Sequence, residues 1–180
     1  MRATNSFERY GIVTVFLHWF MAILIIGMLT LGLYMVRLSV SPEKLKLFRW
    51  HKEYGVLILT LVSLRLSWRL LNITPLLPAN LPRWQQWAAH AAHYLLYLFM
   101  FAMPLTGWLM SSASDLPVSF FGLFVLPNLI APNHDLRLWF ANIHEWLAYG
   151  FIALICLHAL AALQHHFINK DNILRRMLPW

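Results

Sequence analysis

The chain has 180 residues, 60% hydrophobic and only 12% charged, with nine Trp and a formal net charge of +7 at pH 7. At a mean hydropathy of +0.60 it is too apolar and too poor in charge for an ordinary soluble domain. Its basic residues sit at the ends of apolar runs rather than in a patch interleaved with exposed aromatics, which argues against nucleic acid as a partner and for membrane lipid with anionic headgroups.

Four membrane spans are predicted, at about 12–36, 51–71, 87–110 and 138–167. The first, Ile12 to Val36, runs 25 residues without Lys, Arg, Asp or Glu. That is enough to cross roughly 30 Å of hydrocarbon and too long for a signal-peptide core, and no small-residue cleavage site follows it. "RLSVSPEKLKLFRW" separates it from the second span, which opens on His51, and "NITPLLPANLPRW", with three prolines, separates the second from the third. Ser111 to Arg137 follows the third span and contains "LPVSFFGLFVLPNLIAP". Prolines at 117, 127 and 132 bar a continuous spanning helix there, so an interfacial or re-entrant segment is expected. The single cysteine, Cys156, lies in mid-span with no partner for a disulfide and reads as a small core residue. With no repeat, low-complexity tract or soluble module, the expectation is one all-α domain over 1–180, an integral membrane four-helix bundle.

Basic residues set the orientation. The side with both termini and the second loop carries Arg2, Arg9, Arg65, Arg69, Arg83, Lys170, Arg175 and Arg176. The other carries Arg37, Lys44, Lys46, Arg49, Lys52 and Arg137. Eight against six favours cytoplasmic termini.

The fourth span, "NIHEWLAYGFIALICLHALAALQHHFINKDN", holds His144, His158, His165 and His166. An ionisable ring inside a bilayer is costly and is a functional candidate by default. Sorted by depth, His18 and His158 pair on the terminal side of the bundle, and His51 and His144 on the opposite, loop side. Fourteen residues separate 144 from 158, which leaves them about 40° apart around the helix and roughly 21 Å apart along it, so one stripe serves both layers. Neutral imidazoles from facing helices are axial ligands for haem iron, and two layers of two suit two b-type haems stacked across the membrane. Zinc would want three or four donors at one point. The C-x-x-C-H signature of covalent haem attachment is absent.

Gly55, Ala161 and Ala162 near the ligands would give a macrocycle clearance, or serve ordinary helix packing. His90 and His93, at the start of the third span, are alternative or additional ligands on the terminal side. His165, two turns beyond His158, falls where a quinone could dock and is the candidate proton-handling residue, the bland reading being a histidine snorkelling to the interface. His166 and the loop residue His134 read as surface groups. Glu145 either anchors the helix end or receives a proton. Lys44, Lys46, Arg49 and Lys52 form a basic rim near His51, suited to an anionic donor or simply to the interface.

"VFLHW" around His18, "WHKEYG" around His51, "AHAAHYLLY" in the third span, and "IHEWLAYGFIALICLHALAALQHHF" followed by "KDNILRRMLP" resemble the bacterial cytochrome b561 family of small four-helix dihaem membrane proteins. The resemblance covers nearly the whole chain and is strongest in the fourth helix and the tail. It implies one haem on the histidines matching His18 and His158 and the other on those matching His51 and His144, with the third-span histidines outside the ligand set. It also implies electron exchange with ubiquinone, one type oxidising superoxide at the periplasmic face.

The expected protein is therefore a cytochrome b of the bacterial inner membrane with both termini cytoplasmic. It would be a superoxide:ubiquinone oxidoreductase or an electron carrier for a periplasmic redox protein. The reading from another class is a non-redox module whose histidines relay protons or pass a metal ion.

Overall fold

Residues 2–76 and 81–178 are described by the computed structural model; residues 77–80, inside the proline-rich second connection, lie outside it. The first helix, α1 (Ile12–Met35), carries no charge along its length. Its entry is fixed by Asn5, whose Oδ1 accepts from the Gly11 amide and the Thr14 hydroxyl at 2.9 and 2.8 Å. Gly11 is required there, since a Cβ would meet the Ala3 carbonyl oxygen at 2.4 Å.

The second helix, α2 (Pro42–Leu71), starts well before the expected His51. Ser41 caps it by accepting from the Lys44 amide at 3.2 Å, Pro42 fits the first helical turn, and Glu43 complements the helix dipole. Hydropathy marks where lipid begins; the cap marks where the helix begins. The third and fourth helices, α3 (Arg83–Ala113) and α4 (His134–Gln164), likewise overrun the predicted spans at both ends or at the start. Asn133 caps α4 by accepting from the Leu136 amide at 2.9 Å, so His134 is the first helical residue and not part of a loop. A π-helical turn, His165–Asn169, continues α4. Inside α3, Pro104 deprives the helix of one donor, and nearby the Thr106 hydroxyl donates to the Ala102 and Met103 carbonyls at 2.8 and 2.9 Å.

The third connection, expected as an interfacial or re-entrant segment, contains a short hairpin. Strands β1 (Val118–Phe120) and β2 (Phe124–Leu126) form an antiparallel hairpin with Val118 opposite Leu126, both buried, and β1 packs on α2. The turn between them places Phe121 and Gly122 at φ 50° and 75°, a conformation that glycine tolerates best. Aromatics on both faces of "VSFFGLFVL" hide the alternation that marks a strand.

Helix α1 packs on α2, α2 on α3 and α3 on α4. The buried cluster is Met21, Ile25 and Met28 from α1, Ile58 and Val62 from α2, Met100 from α3 and Phe151 from α4. On α1 these residues follow His18, on α2 they follow His51, and on α4 Phe151 lies between His144 and His158. The core is thus an apolar slab between two histidine layers. Cys156, expected in that core, is exposed instead. A thiol is apolar enough to face lipid without cost.

Candidate functional site

On the loop side, α2 brings His51 and α4 brings His144 together with ring centroids 6.2 Å apart. On the terminal side, His18 of α1 and His158 of α4 stand 6.3 Å apart. Two imidazoles gripping one iron from opposite faces, with metal–nitrogen bonds of about 2 Å, place their centroids roughly 6 Å apart. Both pairs therefore have a spacing at which two imidazoles would hold one iron. Among the described residues no group of three or more His, Cys, Asp or Glu side chains is placed to hold a metal ion, so the donor count that zinc wants is missing.

The loop-side pair is the more closely framed. His144 Nδ1 lies 2.9 Å from Thr106 Oγ1. The hydroxyl proton of Thr106 is already given to backbone carbonyls, so its oxygen accepts from Nδ1–H. That tautomer leaves the Nε2 lone pair free for a metal, the usual role of a group behind a ligating histidine. His51 Nδ1 is buried with no hydrogen-bond partner among the described residues, a cost the protein bears with no gain of its own. Glycines close on both rings: a Cβ on Gly32 would lie 3.3 Å from His51 Cε1, and one on Gly107 would lie 3.4 Å from His144 Cε1. Gly55, read as clearance beside His51 or as ordinary helix packing, has no atom of the described residues within 4 Å of an added Cβ. Sequence reading missed Thr106, Gly32 and Gly107. Gly107 sits at the depth of His144 once α3 is run antiparallel to α4, and that depth comparison was the signal available.

The terminal-side pair has neighbours of another kind. His93 of α3 stands 5.9 Å from His158, as close as His18, so spacing alone gives His158 two possible facing rings. Arg65 of α2 donates to His18 Nδ1 at 3.1 Å. His90 is turned to its own helix, its Nδ1 2.7 Å from the Gln86 carbonyl, and is exposed.

His165 lies in the π-helical turn, where its Nδ1 donates to Asp171 Oδ2 at 2.6 Å. Asp171 also accepts from the Ile173 amide, so the pair ties the end of α4 to the C-terminal tail. His166, read as a surface group, is partly exposed, with its Nδ1 buried and without a hydrogen-bond partner among the described residues. Glu145 accepts from the Tyr149 hydroxyl at 3.2 Å, one turn along the helix.

Two residues of the basic rim are held to the loops. Lys44 Nζ donates to the Leu38 carbonyl at 2.6 Å, and Lys52 Nζ donates to Ser111 Oγ and the Pro117 carbonyl at 3.3 Å each. Lys46 lies over the Trp50 ring at 4.7 Å. These contacts fix the positive charges without neutralising them.

Residues 9–180 match the family model described as prokaryotic cytochrome b561. The chain is 39% identical to cytochrome b561 homolog 2 of Escherichia coli K12, over 99% of this chain and 95% of that one. It is 34% identical to cytochrome b561 homolog 1 of the same organism, over 96% of this chain and 98% of the other. A probable superoxide oxidase CybB of Yersinia pestis is 34% identical over 72% of this chain and 73% of its own.

Proposed function

The chain belongs to the prokaryotic cytochrome b561 family and is a multi-pass membrane b-type cytochrome that carries electrons; from that premise we propose that it passes electrons from superoxide, or from a periplasmic redox protein, to ubiquinone. Bound haem b supplies one-electron transfer, one group on His51 and His144 and one on His18 and His158. The observation that carries this reading is the pair of ring spacings, 6.2 and 6.3 Å, one on each side of the apolar slab. Thr106 keeps His144 in the ligating tautomer, while Gly32 and Gly107 let the rings sit close to the helix backbones. The protein lies in the bacterial inner membrane with both termini cytoplasmic, so that Lys44, Lys46, Arg49 and Lys52 face the periplasm and draw in an anionic donor.

Two superoxide anions give up one electron each to become dioxygen, and ubiquinone takes up two electrons and two protons to become the quinol. His165 hands on one of those protons. Its Nδ1–H is held by Asp171, which leaves Nε2 as the exchanging nitrogen.

A dithionite-reduced minus oxidised spectrum of the purified protein tests the cofactor, with sharp six-coordinate b bands and two haems per chain expected. The ratio falls to one in His51→Ala, His144→Ala, His18→Ala and His158→Ala, and stays at two in His93→Ala. A featureless difference spectrum would return the histidines to proton or metal transport. Superoxide-dependent quinone reduction by the isolated chain tests the donor; inactivity with superoxide, both haems being present, points to a periplasmic redox protein instead.

A further inference from the structure

Arg65 and Arg69 lie one turn apart on α2, inside a membrane-spanning helix. Both guanidinium groups pack over the ring of Tyr97 of α3, 5.8 and 5.5 Å from its centroid. Among the described residues the one contact of ion-pair length joins His165 to Asp171, so neither arginine has a carboxylate at hand. Like charges one turn apart repel, and an uncompensated charge at membrane depth is costly. The fold nonetheless gathers two of them beside the terminal-side histidines.

The contact between Arg65 and His18 bears on what the arginines could pair with. A neutral imidazole has one nitrogen lone pair, and a guanidinium can only donate, so Arg65 takes that lone pair at Nδ1. A ring that binds iron spends its lone pair on the metal, and its other nitrogen carries the proton and donates. Arg65 and iron therefore exclude each other on His18, whichever nitrogen ligates. His144 is the contrast, since its Nδ1 meets an accepting oxygen. When His18 serves as a ligand, Arg65 needs a new acceptor close by.

We propose that Arg65 and Arg69 hold the two propionate carboxylates of the haem bound by His18 and His158, and that this pairing raises the reduction potential of that haem. The inference rests on the haem reading above and adds two residues to it. A b-type haem carries two ionised carboxylates, and the guanidinium fork matches a carboxylate with two parallel hydrogen bonds. Two forks one turn apart supply both. Tyr97 holds the forks from the other side, as an aromatic face holds a planar cation. Positive charge that offsets the propionates favours the reduced iron, so its loss lowers the potential.

The test is potentiometric titration of the haem-loaded protein, with the terminal-side haem identified as the one kept by His144→Ala. Arg65→Leu and Arg69→Leu should each disfavour reduction of that haem by roughly tenfold, about 59 mV for a one-electron couple, and leave the loop-side haem in place. Redox-difference infrared spectra with haem carrying carbon-13 at the propionate carboxyls give a direct readout. The labelled band should move in Arg65→Lys, which keeps the charge and loses the fork, while the potential stays near that of the parent. Arg65→Lys also decides the matter if Arg65→Leu fails to take up haem. An unmoved band in Arg65→Lys together with an unmoved potential in Arg69→Leu overturns the proposal while the haem reading stands. A parent protein that holds no haem overturns both.

Discussion

At the level of single residues, the two histidine layers differ in what stands behind each ring. Thr106 is the clearest case, because its hydroxyl proton is committed to the helix and its oxygen can only receive from His144. Thr106→Val keeps shape and removes that acceptor, which leaves a buried Nδ1–H without a partner. Loss of a group that orients a metal ligand commonly costs 10- to 100-fold in affinity. On the ligation proposed above, the expected outcome is loss of the loop-side haem during chromatography in a haem-scavenging buffer, with the terminal-side haem retained. Thr106→Ser should restore it; equal retention of both haems in Thr106→Val would deny the residue any part in ligation. His165 makes a different demand. If it carries protons to ubiquinone, His165→Ala keeps both haems and their spectra yet slows reoxidation of the reduced protein by ubiquinone, and Asp171→Asn slows it to a lesser degree. Stopped-flow reoxidation measures this, and rates equal to the parent's in both variants would leave the pair a fastening for the tail.

At the level of helices, glycines decide how near an imidazole can lie to its neighbour. Gly32→Ala puts a methyl 3.3 Å from His51 Cε1, tighter than ordinary van der Waals contact, so the ring must shift by a few tenths of an ångström. A ligating ring has little room to shift. On the ligation proposed above, the loop-side haem should therefore change its spectrum and potential in Gly32→Ala, whereas Gly27→Ala, where the new methyl meets nothing within 4 Å among the described residues, should leave both haems unaltered and serve as the control. Identical spectra in the two variants would show that the Gly32 cradle plays no part. Helix identity and the depth pairing of the histidines were legible in the sequence, because both follow from linear periodicity and from the cost of polar groups in lipid. What was not legible depends on which helix faces which. Thr106 and Gly32 act on rings of other helices, and a single helix pattern says nothing about azimuth toward a neighbour. His93 illustrates the same limit: its depth was readable, but its approach to 5.9 Å from His158 comes from the packing of α3 on α4. The helix starts at Pro42 and His134 were written in caps that a hydropathy window averages away.

At the level of the whole molecule, the apolar slab of Met21, Ile25, Met28, Ile58, Val62, Met100 and Phe151 divides the bundle into two chemically unlike halves. The terminal half holds Arg65, Arg69, His93 and the His165–Asp171 pair, and the loop half holds the lysine rim. Which half faces the cytoplasm decides which reaction each can serve. Counting basic residues gives eight on the terminal side and six on the loop side, Arg2, Arg9, Arg65, Arg69, Arg83, Lys170, Arg175 and Arg176 against Arg37, Lys44, Lys46, Arg49, Lys52 and Arg137. The margin is small, so the arrangement needs a direct test, and the fold shows where to place the probe. The stretch from Ser41 to Lys46 is a poor insertion point, since Ser41 caps α2 and Lys44 binds the Leu38 carbonyl. Leu123, at the hairpin turn and 77% exposed, is a better one. With Cys156 replaced by Ala, Leu123→Cys in intact spheroplasts should react with a membrane-impermeant thiol reagent, and a C-terminal reporter that works only in the cytoplasm should be active. The opposite pair of results would place the lysine rim in the cytoplasm, where it could not gather a periplasmic anion, and would remove superoxide as the donor while leaving the haem assignments untouched.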